Sequence, residues 1–188
     1  PTTAQHAAED MLGRVPLIID GGPCDVGVES TVLDMTASPP VLLRPGGVTA
    51  EMLENAIGGV ALHPAVLRGL EDGEQARSPG MKYRHYAPSA TVFVFEGSKK
   101  TVAKTINSRY DEYNKGFQKT VIFCDAKSAP LYAGKDVRVL GAGMREVSRS
   151  LFSELRLADD KKCRVLLFHY TDDMGLAVKN RILRAAGK

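Results

Sequence analysis

The sequence predicts an α/β protein in two parts, a mixed α/β region followed by a small Rossmann-like parallel-sheet domain. Three observations predict it. From residue 91 onward, short β-branched and aromatic runs alternate with segments of helical periodicity. Charge breaks along the chain: residues 1–70 hold three Arg against eight acidic residues (−5), whereas residues 91–188 hold nineteen Lys/Arg against eleven acidic residues (+8). Between them, residues 71–90 balance and contain SPGMKYRHYAP (78–88), a stretch with two prolines, one glycine and two tyrosines. Two domains joined through 71–90 account for this break better than one. The expected division is 1–70, a linker or lid at 71–90, and 91–188.

The chain as a whole has 188 residues and a net charge of +3. No apolar run reaches the roughly 20 residues of a membrane span. No signal-peptide pattern opens it, since Pro1–Thr2–Thr3 is polar and uncharged. The first residue is not Met, so the sequence reads as an excised piece. Cys24, Cys124 and Cys163 are odd in number and widely spaced, which points to reduced thiols, a cytoplasmic setting and no zinc site. No internal repeat or low-complexity tract is present.

Each element follows from local pattern. Ala4, Ala7, Ala8 and Met11 share a helical face over residues 3–12, with Thr3 as cap and Gly13 as stop. VPLIID (15–20) reads as a buried strand and Asp20–Gly21–Gly22–Pro23 as a turn. VESTVLD (28–34) alternates, placing Val28, Ser30 and Val32 on one face. Val41–Arg44 is a short strand stopped by Pro45–Gly46–Gly47. Thr49 caps a helix to about Ile57, with Met52, Leu53, Ala56 and Ile57 inward. After the linker come strands at 91–96, 120–124, 136–140 and 164–169. Helices are expected after Ser98, over about 144–157, and over 172–186 with a cap near Asp172. Strand–helix repeats of this length imply parallel strands with helices on both faces.

Several residues are candidates for chemistry, each with a plain alternative. Arg44 ends a strand against Pro45–Gly46–Gly47, where a guanidinium could fork onto a phosphate or carboxylate; alternatively it pairs with Glu29 or Asp34. Ser30 is a hydroxyl between two valines, either a ligand contact or a satisfied buried serine. Within 78–88, Lys82, Arg84 and His85 supply donors, and Tyr83 and Tyr86 supply flat faces. That set suits closure over an anionic, planar ligand such as a nucleotide, or else forms an ordered connector. Gly21–Gly22 lacks phosphate-loop spacing. Gly141–Ala142–Gly143 sits between a strand and a helix as an anion-binding turn would, but Glu146 stands where a third glycine belongs. His169 ends a strand, where parallel sheets place ligands.

DGGPCDVGVESTVLD (20–34), VLLRPGG (41–47), SPGMKYRHYAP (78–88) and GLAVKNRILRAAGK (175–188) together resemble one family. It is the threonylcarbamoyl-AMP synthases, the YrdC-like enzymes in the long form with an extra C-terminal domain. The resemblance implies a partial YrdC-like mixed α/β domain, a lid, and a Rossmann-like accessory domain. It implies an enzyme that makes threonylcarbamoyl-AMP from L-threonine, bicarbonate and ATP, with Mg2+ accompanying the ATP and pyrophosphate released. The product then serves threonylcarbamoyladenosine modification of tRNA, through downstream transfer machinery. Carried residue by residue, Ser30 matches a threonine contact and Arg44 an ATP contact. Met81, Tyr83 and His85 in the lid match candidate ATP contacts. No catalytic residue and no metal ligand is assigned. The family's N-terminal half carries Lys-x-Arg and Ser-x-Asn elements that have no counterpart here, so the fragment is expected to be inactive alone. A different class of function is a non-catalytic module whose +8 C-terminal part docks tRNA or a transferase partner; it lacks the aromatic platform of single-strand binders.

Overall fold

The computed structural model describes residues 1–68, 74–78 and 88–187. Helix α1 (Ala4–Met11) opens as its sequence dictates, with the Thr3 hydroxyl accepting the His6 amide at 3.2 Å. The expected buried strand over VPLIID does not form. Leu17 is 72% and Ile19 83% exposed, and residues 15–20 pair with no strand. A β-prone run needs a neighbour to take its amides and cover its side chains, and the described residues provide none.

The next strand shortens for the same reason, from the expected 28–34 to β1 (Val32–Asp34). It pairs antiparallel with β2 (Val41–Arg44), with Val32 opposite Arg44 and an irregular step between Val32 and Leu33. Helix α2 (Ala50–Ile57) is capped by Thr49 as expected. Its inward face is not: Met52 is 56% and Ile57 46% exposed, and Leu53 alone of the four expected positions is partly covered. A two-residue strand, β3 (Ala61–Leu62), runs parallel to β2, and helix α3 (Ala65–Arg68) follows; neither was visible in the sequence pattern. The core of this part is small, with Leu43 and Ala65 at its centre.

The C-terminal part is a complete layered structure. Strands β4 (Thr91–Phe95), β5 (Thr120–Cys124), β6 (Val137–Val139) and β7 (Val165–His169) form one parallel sheet in the order β4-β7-β5-β6. β5 and β7 are buried at every position, as continuous apolar runs are in a sheet covered on both faces. Alternation sorts their side chains. Val121, Phe123, Leu166 and Phe168 face α5 (Met144–Asp160) and α6 (Leu176–Ala185). Ile122, Cys124, Val165 and Leu167 face α4 (Lys99–Lys115) and a 3-10 turn at Ala129–Tyr132. The rings of Phe123 and Phe168 stack at 4.6 Å. The expected single helix over 172–186 is broken. Residues Asp172–Met174 form a 3-10 turn, and Gly175 at φ 83 redirects the chain before α6, which has no side-chain cap from Asp172.

The N-terminal part lies against α5 and α6. The Arg156 guanidinium holds Glu9 at 2.8 Å and Asp10 at 2.5 Å. His6 meets the Phe152 ring edge-on at 5.5 Å. Asn180 and Arg184 donate to the carbonyls of Val66 and Ala65 at 2.5 and 3.0 Å. The Arg156 hydrogen bond, ahead of its charge, keeps the Asp10 carboxyl below its ordinary range.

Hydrogen exchange checks this uneven order. Amides of β5 and β7 should be the slowest in the chain and those of residues 15–20 among the fastest. Leu167→Ala, at a fully buried site, should lower stability by about 2–5 kcal/mol in denaturant unfolding.

Candidate functional site

Ser30 and Arg44, singled out separately in the sequence, are brought together. The antiparallel pairing places Arg44 opposite Val32, so its side chain reaches back along the approach to β1. Arg44 Nε donates to the Ser30 carbonyl at 2.9 Å and Nη2 to the Ser30 hydroxyl oxygen at 2.9 Å. The alternative partners are taken elsewhere. Glu29 pairs with Arg181 of α6, and Asp34 pairs with Arg77. Ser30 is exposed, so the reading of it as a buried serine between valines fails.

The loop after β2 completes the cradle. Thr31 Oγ1 donates to the Val48 carbonyl at 2.7 Å and accepts the Val48 amide at 3.1 Å. Gly46 lies so close that a Cβ there would stand 2.2 Å from the Glu29 carbonyl and 2.4 Å from the Thr31 amide. A second glycine, Gly27, packs equally tightly on α5, where a Cβ would meet the Ser148 carbonyl at 2.3 Å. The Ser30 hydroxyl accepts from Arg44 and keeps its own proton to donate. A small ligand with a carboxylate thus meets a polarised hydroxyl beside a cation.

Met81, Tyr83 and His85, together with Lys82, Arg84 and Tyr86, lie outside the described residues. The entry to their segment is anchored. Ser78 is buried, and Arg77 is paired with Asp34 at the end of β1. Asp34 also accepts the Thr36 hydroxyl at 2.6 Å and the Thr36 amide at 2.9 Å, and these bonds, ahead of Arg77, hold its carboxyl below the usual range.

The family pattern described as "Threonylcarbamoyl-AMP synthase, C-terminal domain" matches residues 48–187, and one described as "Telomere recombination" matches residues 1–46. The chain belongs to the threonylcarbamoyl-AMP synthase family. All of it aligns with the threonylcarbamoyl-AMP synthase of Pyrococcus abyssi at 42% identity, covering 54% of that protein. It aligns equally fully with that of Bacillus subtilis at 39%, covering 53%. A solved structure, P. abyssi Sua5 complexed with L-threonine, superposes with a TM-score of 0.88 over the whole chain and 54% of its own. The chain therefore spans about half the length of the threonylcarbamoyl-AMP synthases it matches.

Other candidate positions in this family member have local explanations. The Ala142 amide in Gly141–Ala142–Gly143 already donates to the Glu146 carboxylate at 2.7 Å, so a bound anion would compete with a fixed negative charge. Gly21–Gly22 is an exposed turn in which Asp20 accepts the Gly22 amide at 2.8 Å. Cys124 is buried, and burial pushes its thiol up to about 12. Cys163 is also buried, while Cys24 is exposed. His169 is fully buried, and its Nδ1 meets the Tyr132 hydroxyl at 2.6 Å. Burial raises the Tyr132 pKa and lowers that of His169, so both groups are held toward their neutral forms. The pairs Glu29–Arg181 and Thr31–Val48 were not legible in the sequence; Gly46, the first glycine of Pro45–Gly46–Gly47, was the local sign of the close approach.

Gly46→Ala should force the loop away from Thr31 and cost about 1–3 kcal/mol. Gly21→Ala, with nothing within 4 Å, should be nearly neutral; thermal unfolding compares them. His169 gives a pH test. Desolvation holds its folded pKa below the ordinary 6.5. The unfolded chain therefore takes up the proton first, and stability falls as pH drops through and below that value. Denaturant midpoints at about pH 7.5 and about pH 5.5 should differ more in wild type than in His169→Gln.

Proposed function

We propose that these residues are the C-terminal part of an L-threonylcarbamoyladenylate synthase, with 1–70 completing a YrdC-like catalytic domain, 71–90 a lid and 91–188 an accessory domain. The substrates are L-threonine, bicarbonate and ATP, and the product supplies threonylcarbamoyladenosine modification of tRNA. The observation that carries this reading is the Arg44 fork on Ser30, in a chain matched to this family throughout.

The chemistry suits these groups. The threonine amine and bicarbonate form a carbamate with loss of water. A carbamate oxygen then attacks the α-phosphorus of ATP, and the bond to pyrophosphate breaks. Ser30 fixes the small amino acid by hydrogen bonds. Arg44 offers planar charge to the triphosphate and stabilises the departing pyrophosphate. Both the carbamate and the mixed anhydride hydrolyse readily, so a closing segment carrying Met81, Tyr83 and His85 excludes water while it contacts ATP. Mg2+ would enter with the phosphates. Among the described residues no group of three or more His, Cys, Asp or Glu could hold it, and no step here is assigned to it. Among them also, no helix is long and apolar enough to cross a membrane.

Threonine-dependent ATP–pyrophosphate exchange in the full-length chain tests this. Arg44→Ala should raise the KM for ATP about 10- to 100-fold, from a charged hydrogen bond of about 1.5–3 kcal/mol. Ser30→Ala should raise the KM for L-threonine. Unchanged constants in folded variants would reject the assignments. The 188-residue fragment should show no exchange. Salt-dependent retention of tRNA by residues 91–188, with no exchange by any form of the protein, would favour a docking module instead.

A further inference from the structure

We infer that Arg181, on the last helix of the C-terminal sheet, is a positioning residue for the substrate segment: through Glu29 it holds residues 27–31 and thereby fixes the Ser30 hydroxyl. The inference rests on the reading of Ser30 as the threonine contact.

Residues 27–31 carry the key hydroxyl without the support of a strand ladder, because β1 begins only at Val32. Contacts from two directions hold them instead. From their own part come the Arg44 fork on Ser30, the Thr31–Val48 bonds and the close approach of Gly46. From the C-terminal part come Gly27 against the α5 backbone and the ion pair of Glu29 with Arg181. Glu29 directly precedes Ser30, so displacement of one displaces the other.

A pocket of about 210 Å³ is lined by Val28, Glu29 and Arg181 together with Leu151 and Leu155 of α5. The segment meets α5 at Gly27 and α6 at Glu29. Arg181 is only 17% exposed. Burial and, after it, the neighbouring Arg184 work against its charge and lower its pKa. The Glu29 side chain is 36% exposed, so the cost of breaking the pair falls on the mostly buried guanidinium, which would lose this carboxylate. That cost sets the pair apart from an ion pair exposed at both ends. This gives the C-terminal domain a role in substrate recognition that does not require a ligand of its own.

The test uses the full-length protein with Arg181→Met, which keeps the length and removes the charge, and with Glu29→Gln, which removes the other partner and keeps its shape. The KM for L-threonine should rise about 10- to 100-fold, while kcat at saturating L-threonine stays within about twofold. Arg181→Lys should restore part of the loss, and Arg181→Glu with Glu29→Arg should recover more activity than either change alone. Hydrogen exchange of residues 27–33 should quicken in the variants, with the amides of β5 and β7 unchanged. An L-threonine KM within about twofold of wild type in both folded variants, or unaltered exchange at 27–33, would overturn the inference. If wild type itself does not bind L-threonine by calorimetry, the assignment of Ser30 fails, and exchange at 27–33 still decides whether Arg181 fixes the segment. Should Arg181→Met not fold, Glu29→Gln carries the same comparison from the other side of the pair.

Discussion

The N-terminal part of this chain takes its conformation from the outer face of α5 and α6. Its own core is too small to impose one, with Leu42, Leu43, Ala65 and Val66 as its buried apolar residues among those described and a strand-like run left in solvent. Helix α3 shows the dependence most plainly. A four-residue helix has no internal partners for its carbonyls. Two of them, from Ala65 and Val66, are satisfied by Arg184 and Asn180 of α6. Helix α1 is likewise held at Glu9 and Asp10 by one arginine of α5. The parallel sheet, whose central strands are dry on both faces, is the rigid body that makes such borrowing possible.

How far the sequence could be read follows from which contacts are local. Strands β5 and β7 announce themselves because a fully buried strand is a continuous apolar run, and Thr3, Thr49 and Ser98 cap their helices by bonds within three residues. VPLIID was misread because nothing in a strand's own residues says whether a neighbour is present. The start of α6 was misplaced by four residues because Asp172 looks like a cap while Gly175, with a positive φ, decides the boundary. In the candidate site the residue types were legible and the pairing was not. Ser30 and Arg44 were each noticed as ligand groups, yet their bond depends on the register of β1 against β2. The acids expected to neutralise Arg44 were claimed by Arg181 and Arg77, one on a distant helix and one within residues 74–78.

The charge split has a physical explanation in these contacts. A −5 region followed by a +8 region invites a reading in terms of an outside polyanion. The structure instead directs part of that asymmetry inward. Glu9, Asp10 and Glu29 of the acidic part meet Arg156 and Arg181 of the basic part, and Arg184 is turned onto a carbonyl of α3. Arginine suits this use, because a planar fork can hold two acceptors at once where a lysine offers one compact charge. Other cations stay on the surface, among them Arg109, Arg145, Arg149 and Arg164 as well as lysines. Lys99 and Lys100 open α4, a position where the helix dipole makes positive charge unfavourable, and no acidic residue shares that first turn. Lysines so placed can steer an anion by long-range attraction that salt screens. They do not supply the directed, partly buried bonds that the arginines form at the interface. The basic excess therefore divides by place: Arg156, Arg181 and Arg184 fasten the two parts of the chain together, and the exposed lysines and arginines set the field around them.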